Sequence, residues 1–410
     1  MGCDRAQPRE RRVVLITEVM LGGVREHILQ LAFSLKQRGW DVRLVVALER
    51  ADRAFRAERP NLERAGIPLY SLPMQCNAFA PSNLLSVFRL ARLLRAWQPD
   101  LVHAHCAIAG AVGRVAAMLA GAKAVVYSPH GGSLHQVYGR LGGIYGAIER
   151  LLARRTGAII LISDWLRSRG VEVIRCLPEK MVVVPIGIDA GRFPPVDPEQ
   201  RQAARSSLGI APHTKVFLCV GLLRKIKGQD LLVRAFQRVW QRSPQSKLFL
   251  VGEGEMRSEL EHSARRLGMT TAVQFTGFVD DVSTYLRAAD VYVQPSRADA
   301  SSYSVMEAMV SSLPVIATAV AALPEIVQDG TTGFLVAAED DGAMAAAMSL
   351  LADRPALRQK MGFAGRRRII ECFRSDEMIG RTEQVYRDCL GMENRRDLPA
   401  LSKRPSGILR

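Results

Sequence analysis

A chain of 410 residues with 48% apolar side chains is long enough for two hydrophobic cores, yet its apolar runs of about ten residues fall short of the roughly 20 that a membrane span requires. The net charge of +16 is concentrated in the first half, where residues 1–190 hold 26 Lys and Arg against 15 Asp and Glu. With 6% aromatics and no finger, RNA-binding strand signature or heptad-linked basic region, that charge excludes the common nucleic-acid modules and points to an anionic membrane surface.

Seven cysteines, at 3, 76, 106, 176, 219, 372 and 389, stand singly with no Cys-x-x-Cys pair, which reads as reduced, cytosolic usage without a zinc site. The opening MGCDRAQPRERR has no apolar core for a signal peptide, and Gly2 is not followed by Ser or Thr at the sixth position, so it is expected to be a disordered lead-in.

Arg12 to Thr17 is an apolar strand, Met20 to Val24 a glycine turn around Gly22 and Gly23, and Arg25 to Arg38 an amphipathic helix stopped by Gly39. Val42 to Leu48 then closes a βαβ unit. Leu84 to Trp97 is a helix on which Arg89, Arg92 and Arg95 recur beside apolar positions, a pattern that suits either a solvated face or an anionic interface. Asp100 to His105 is a strand; His103 and His105 point the same way from it, with nothing nearby in sequence to complete a metal-ligand set. Val125 to Ser128 is another strand, ended by Pro129-His130-Gly131-Gly132, and ligands in open α/β sheets bind at that carboxyl edge. Tyr138 to Thr156 is a second basic amphipathic segment, Ala158 to Ser163 a strand, and Phe193 to Pro198 a proline-rich linker.

Past the linker, Lys215 to Gly221 is a strand, followed by the basic loop Leu222-Leu-Arg224-Lys-Ile-Lys227-Gly228 and a helix to Trp240; a basic loop before a helix N-terminus is an anion site. Strands follow at Lys247 to Val251 and Val273 to Val279, with Asp280-Asp281 capping the next helix and Asp290 structural. Val291 to Val293 is a buried strand stopped by Pro295. Asp299, Ser301 and Ser302 then lead into a helix for which Ser304-x-x-Glu307 fits a capping box, so that its first amides can receive a phosphate. Arg366 to Asp388 is helical, and residues 391–410, without periodicity, are expected to be a disordered tail.

Asp299 and Glu307, eight apart, are followed by Leu313-Pro314-Val315-Ile316-Ala317, Pro324-Glu325-Ile326-Val327 and Thr332-Gly333-Phe334-Leu335-Val336. This stretch resembles the carboxylate-x7-Glu signature of glycosyltransferase family 4 (group 1), and the resemblance runs from about Val13 to about Tyr386. It implies a GT-B fold: an α/β chain with two Rossmann-like domains facing across a cleft, at 1–195 and 196–374, the first completed by a helix at about 375–390 that crosses back. It also implies a retaining enzyme that uses a nucleotide-sugar co-substrate, needs no metal or other cofactor, and delivers the sugar to a lipid-linked or glycan acceptor at the cytoplasmic membrane face.

Residue by residue, the resemblance makes His130 the group that orients the donor sugar and Lys227 the cation on the donor diphosphate. Asp299 falls at the transferred sugar, where the family usually has Glu, and Glu307 on the ribose hydroxyls. Gly22, Gly23, Gly221, Arg224 and the Ser301-Ser302-Tyr303-Ser304 segment fall on the donor-binding positions. The chain departs from the pattern at Leu222, where Arg is usual, at Ile186, where Asn is usual, and at Ser312 and Ala321-Ala322, which replace glycines and add a Cβ where the backbone takes positive φ or approaches ligand. Two other readings remain open: a GT-B-fold protein that binds sugar nucleotides with little or no turnover, and a sugar-nucleotide epimerase.

Overall fold

The computed structural model describes residues 10–77, 80–131, 142–174, 178–300 and 302–392. The apolar runs form two wholly parallel sheets. The first contains β1 (Arg12–Thr17), β2 (Asp41–Val46), β3 (Leu69–Ser71), β4 (Leu101–His105), β5 (Ala124–Ser128), β6 (Ala158–Leu161) and β7 (Met181–Val183), in the order β3-β2-β1-β4-β5-β6-β7. The second contains β8 (Val216–Val220), β9 (Lys247–Val251), β10 (Val273–Gly277), β11 (Val291–Gln294), β12 (Val315–Thr318) and β13 (Gly333–Val336), in the order β10-β9-β8-β11-β12-β13. Helices cover both faces, so the central strands are buried and read as continuous apolar segments rather than alternating ones. In each sheet the winding reverses at one point, between β1 and β4 and between β8 and β11, and a crevice opens at the carboxyl ends there.

A helix at Pro198–Ser207 follows the proline-rich segment and joins the second unit through Asp290, whose carboxylate takes Arg201 and Arg205 at 2.8 Å each and the Val216 amide at 2.9 Å. Asp290 is thus structural, as expected. The final helical stretch is not continuous: Pro355–Cys372 and Ser375–Cys389 are separate helices. The break at Phe373 and Arg374 arises because their main chain pairs with the end of the first domain, Ile188 N donating to Phe373 O and Ser375 N to Ile188 O. Ser375–Cys389 then lies on the first sheet. Its Tyr386 hydroxyl meets His103 Nδ1 at 2.6 Å, and its Glu383 accepts from Arg38 at 2.9 Å and from the Trp40 indole at 3.2 Å. The last helix therefore crosses back to the first domain, and residues 393–410 lie outside the described residues.

Two of the departures from glycine are visible in the backbone. Ser312 has φ +62° and Ala321 φ +48°, left-handed conformations that cost an L-residue about 1–2 kcal/mol. Glycine there relieves the strain but loosens the unfolded chain by about 0.4–1 kcal/mol. Ser312→Gly and Ala321→Gly are each expected to raise stability by up to about 1 kcal/mol. Denaturant midpoints check this, and a fall in stability would mean that the side chains make contacts worth more than the strain.

Candidate active site

On the second domain, the chain leaving β8 turns through Gly221, Leu222 and Arg224 into a 3₁₀ turn at Lys225–Lys227 before the helix Gln229–Arg242. Gly228 makes the turn: its φ is +70°, and a Cβ there would stand 1.9 Å from the Pro295 carbonyl oxygen. This close approach sets Lys227 beside the loop that follows β11, where its ammonium meets Asp299 Oδ2 at 2.8 Å. The same oxygen accepts from Gln294 Nε2 at 3.1 Å and Ser296 Oγ at 3.3 Å, and Asp299 is 4% exposed. Arg224 is exposed and makes no ion pair among the described residues; Leu222 is exposed too.

The helix after this loop is Tyr303–Val310, and its cap differs from the expected capping box. Ser302 is the N-cap, its Oγ accepting from Val305 N at 3.4 Å and sharing a hydrogen bond with Ser304 Oγ at 3.1 Å. Ser304 and Glu307 thus sit inside the helix, one turn on, and Glu307 is free of a capping role. Burial pushes the Glu307 carboxyl up to about 7, helped by Glu26 and opposed by Arg192 and Arg25. Ser301 lies outside the described residues.

Across the crevice, Gly22 and Gly23 do not form a turn ahead of a helix; they are its first residues, in Gly22–Gln37. The reason is Asp52, which accepts from Gly22 N at 3.2 Å and pairs with Arg25 at 2.6 Å, so that an outside carboxylate caps the helix start. Gly23 faces the second domain directly, since a Cβ on it would come within 2.9 Å of the Tyr303 ring. Gly131, just past His130, abuts Ala300 in the same way, at 2.7 Å. A third cross-crevice contact is one that sequence reading assigned no role: Glu325 accepts from Asp164 N at 3.0 Å and Trp165 N at 2.7 Å, capping a first-domain helix, Asp164–Ile174, from the second domain. Of the candidate residues, Lys227, Asp299, Ser302, Tyr303 and Ser304 thus gather on one lip, with Gly22, Gly23 and His130 facing them and Gly221 and Arg224 on the loop beyond.

His130, at φ +48°, is not alone. Its Nε2 lies 3.0 Å from His105 Nδ1, and its ring is 4.8 Å from that of His27. The His105 ring lies tilted against that of His103, with centroids 3.8 Å apart, and His103 is held by the Tyr386 hydroxyl and, at 2.8 Å, by Ser128 Oγ. The fold supplies His105 with neighbours that the sequence around it does not, because His27, His105 and His130 bring ligand atoms within 4.8 Å of one another. Sequence separation hid this: the three come from a helix, a strand and a loop. Burial lowers all four imidazoles, His27 to about 4 and the others well below their ordinary value, so each is neutral at pH 7.

A cation paired with a buried carboxylate, a second carboxylate on the adjacent helix and a neutral imidazole opposite form a polar crevice between two doubly wound sheets. Residues 21–192 match the family model described as "Glycosyltransferase Family 4", and residues 214–354 the one described as "Glycosyl transferases group 1". The chain is 30% identical over 376 residues to a D-inositol 3-phosphate glycosyltransferase of Actinosynnema mirum, covering 83% of this chain and 86% of that one. It is 25% identical over 324 residues to the UDP-Gal:alpha-D-GlcNAc-diphosphoundecaprenol alpha-1,3-galactosyltransferase of Escherichia coli, covering 78% and 83%. In fold it is similar to Anabaena HepE in complex with UDP and glucose, with a TM-score of 0.80 and 21% identity over 92% of this chain and 100% of that one. The chain belongs to the family 4, group 1 glycosyltransferases and has their two-domain GT-B fold.

Proposed function

We propose that the protein is a retaining hexosyltransferase that moves a sugar from a nucleotide-sugar donor to a lipid-linked or glycan acceptor in cell-surface polysaccharide or lipopolysaccharide synthesis. The observation that carries this reading is the 2.8 Å Lys227–Asp299 pair at the β8–β11 reversal, opposite the His130 loop. Breaking the bond between anomeric carbon and diphosphate builds negative charge on the leaving oxygen and positive charge on the sugar. Lys227, with Arg224 and the first amides of Tyr303–Val310, meets the former without a metal ion; Asp299 lies beside the latter. Glu307 takes the ribose hydroxyls, and His130, neutral through burial, hydrogen-bonds the sugar and orients it rather than acting as base.

The acceptor side of the reading rests on two exposed faces of the first domain. On Pro81–Trp97, Leu84 and Phe88 are 61% and 58% exposed beside exposed Arg89, Arg92 and Arg95. On Gly142–Arg154, Leu151 is 64% exposed beside exposed Arg154, while Arg140 of the same basic segment lies outside the described residues. Apolar side chains among basic ones suit an anionic bilayer, so we place the enzyme peripherally on the cytoplasmic face; no helix of the described residues is long and apolar enough to cross a membrane. The similarity to the Escherichia coli galactosyltransferase acting on a diphosphoundecaprenol-linked sugar supports a lipid-linked acceptor.

A second reading, a protein that binds sugar nucleotides with little turnover, is favoured by the same Asp299, because Lys227, Gln294 and Ser296 all engage one of its oxygens. One experiment separates them: incubation with a panel of nucleotide sugars and a membrane-lipid extract, with and without a chelator. Transfer from one donor, with unchanged anomeric configuration and no loss on chelation, is the expected result. Tight nucleotide binding with no product from any donor would establish the second reading instead, and donor consumed without transfer would indicate an epimerase.

A further inference from the structure

Four of the seven histidines meet at the carboxyl edge of the first sheet, and the proposed transfer uses only one of them. His103 has both ring nitrogens engaged, by Tyr386 and Ser128. The other three are not satisfied in this way. His27 Nδ1 and His105 Nε2 are buried without any hydrogen-bond partner, although both residues are at most 4% exposed. Buried polar atoms are nearly always paired, so an orphaned nitrogen on His27 and another on His105, two rings of one cluster, call for a partner.

We infer that His27, His105 and His130 form a binding site for one divalent transition-metal ion of the zinc and cobalt class. Nitrogen donors without a carboxylate select such an ion over magnesium or calcium, which require oxygen ligands. The geometry is close to what zinc needs: bonds of 2.0–2.1 Å place neighbouring nitrogens of a tetrahedral site about 3.3–3.4 Å apart. His105 Nδ1 and His130 Nε2, hydrogen-bonded to each other without the ion, are 3.0 Å apart, and one nitrogen from each of the three rings lies within 4.8 Å of the others. The remaining closure needs only ring rotation, and the terminal torsion of histidine is soft. His103 lies against the His105 ring and is itself fixed by Tyr386 and Ser128, so it holds one ligand in place from behind. Three protein nitrogens leave a fourth position open to water or a sugar hydroxyl. Because the ion engages the imidazole that the transfer reaction needs free, the site opposes turnover rather than serving it.

The test is titration of chelator-stripped protein with Co²⁺ alone, followed by visible absorption. The expected result is one Co²⁺ per chain, with the intense d–d band of a tetrahedral nitrogen site, displaced by stoichiometric Zn²⁺. His105→Gln and His27→Gln, each checked for its fold by circular dichroism, are expected to weaken Co²⁺ binding at least tenfold. His130→Ala, checked for its fold in the same way, is expected to do the same. His213→Gln and His262→Gln, both at exposed positions, are expected to leave the band unchanged. No band in the parent protein, a weak octahedral spectrum, or a band that survives in His130→Ala and His105→Gln would overturn the inference. Because the readout needs no substrate, its failure leaves the transferase reading untouched, and failure of that reading leaves the metal site standing.

Discussion

Replacing Lys227 with alanine is expected to lower the rate of sugar transfer at saturating donor about 10²–10³-fold, the usual consequence of removing one preorganised group from a developing anion. The ammonium is positioned in advance: Gly228 presses the turn against Pro295, and Asp299 holds the amine at 2.8 Å before any donor arrives. The cost of reorganisation during the reaction is therefore small, which is what makes such a group effective. The variant has a second effect that must be separated from the first. Asp299 is buried, and without its cation it keeps only Gln294 and Ser296 on the oxygen, so the fold is expected to lose stability as well. Adding Asp299→Asn to Lys227→Ala removes the unpaired charge and is expected to recover the denaturant midpoint without recovering kcat. A fall of less than tenfold in kcat for Lys227→Ala would transfer the role to Arg224, whose guanidinium has no ion pair among the described residues.

What could be read in advance follows from the range of the interactions. Strands such as Arg12–Thr17 and Lys247–Val251 are buried on both faces, so their apolar runs stand out locally and their ends fall where expected. The positive φ of Ser312 and Ala321 was legible only through the resemblance, whose pattern has glycine at both positions, and the third replaced glycine, Ala322, has φ −90° and no such demand. The start of Tyr303–Val310 was not, since Ser302 and Ser304 are equally good caps in sequence and the choice is made by how the β11 loop delivers the chain to the helix. Likewise the Gly22–Gln37 helix begins earlier than its apolar pattern because its cap, Asp52, is 30 residues away. The histidine cluster was illegible for the same reason on a larger scale: His27 sits on the buried face of its helix among Ile28 and Leu31 and looks like one more core position until β4 and the β5 loop are brought beside it.

Glu307 carries a stability cost that a single amide removes. In the unfolded chain its carboxyl loses its proton near the ordinary value of 4.5, whereas in the fold it holds it up to about 7, because burial and Glu26 outweigh Arg192 and Arg25, with Asp281 also raising it. Between those values the unfolded state binds fewer protons than the folded state, so stability falls as pH rises through the window, by about 1.4 kcal/mol per unit and at most about 3 kcal/mol in all. Glu307→Gln is expected to abolish that slope, leaving the ligand-free variant more stable than the parent at pH 8 and little changed at pH 4.5. Binding is expected to move in the opposite direction. An ionised carboxylate accepts two hydroxyl hydrogen bonds, each worth about 1.5–3 kcal/mol, so the amide is expected to weaken nucleoside diphosphate binding about 10–100-fold. In the parent protein that affinity should drop as pH falls below about 7, where the carboxyl becomes protonated, and more steeply than in the variant, where only the ligand's own terminal phosphate, with its pKa of about 6, still titrates. Denaturant unfolding at pH 5 and 8, with calorimetric titration of a nucleoside diphosphate at the same pH values, measures both. A variant that keeps the parent's pH slope, or binds nucleotide as well as the parent, would place the titrating group elsewhere in the crevice and remove Glu307 from the donor site.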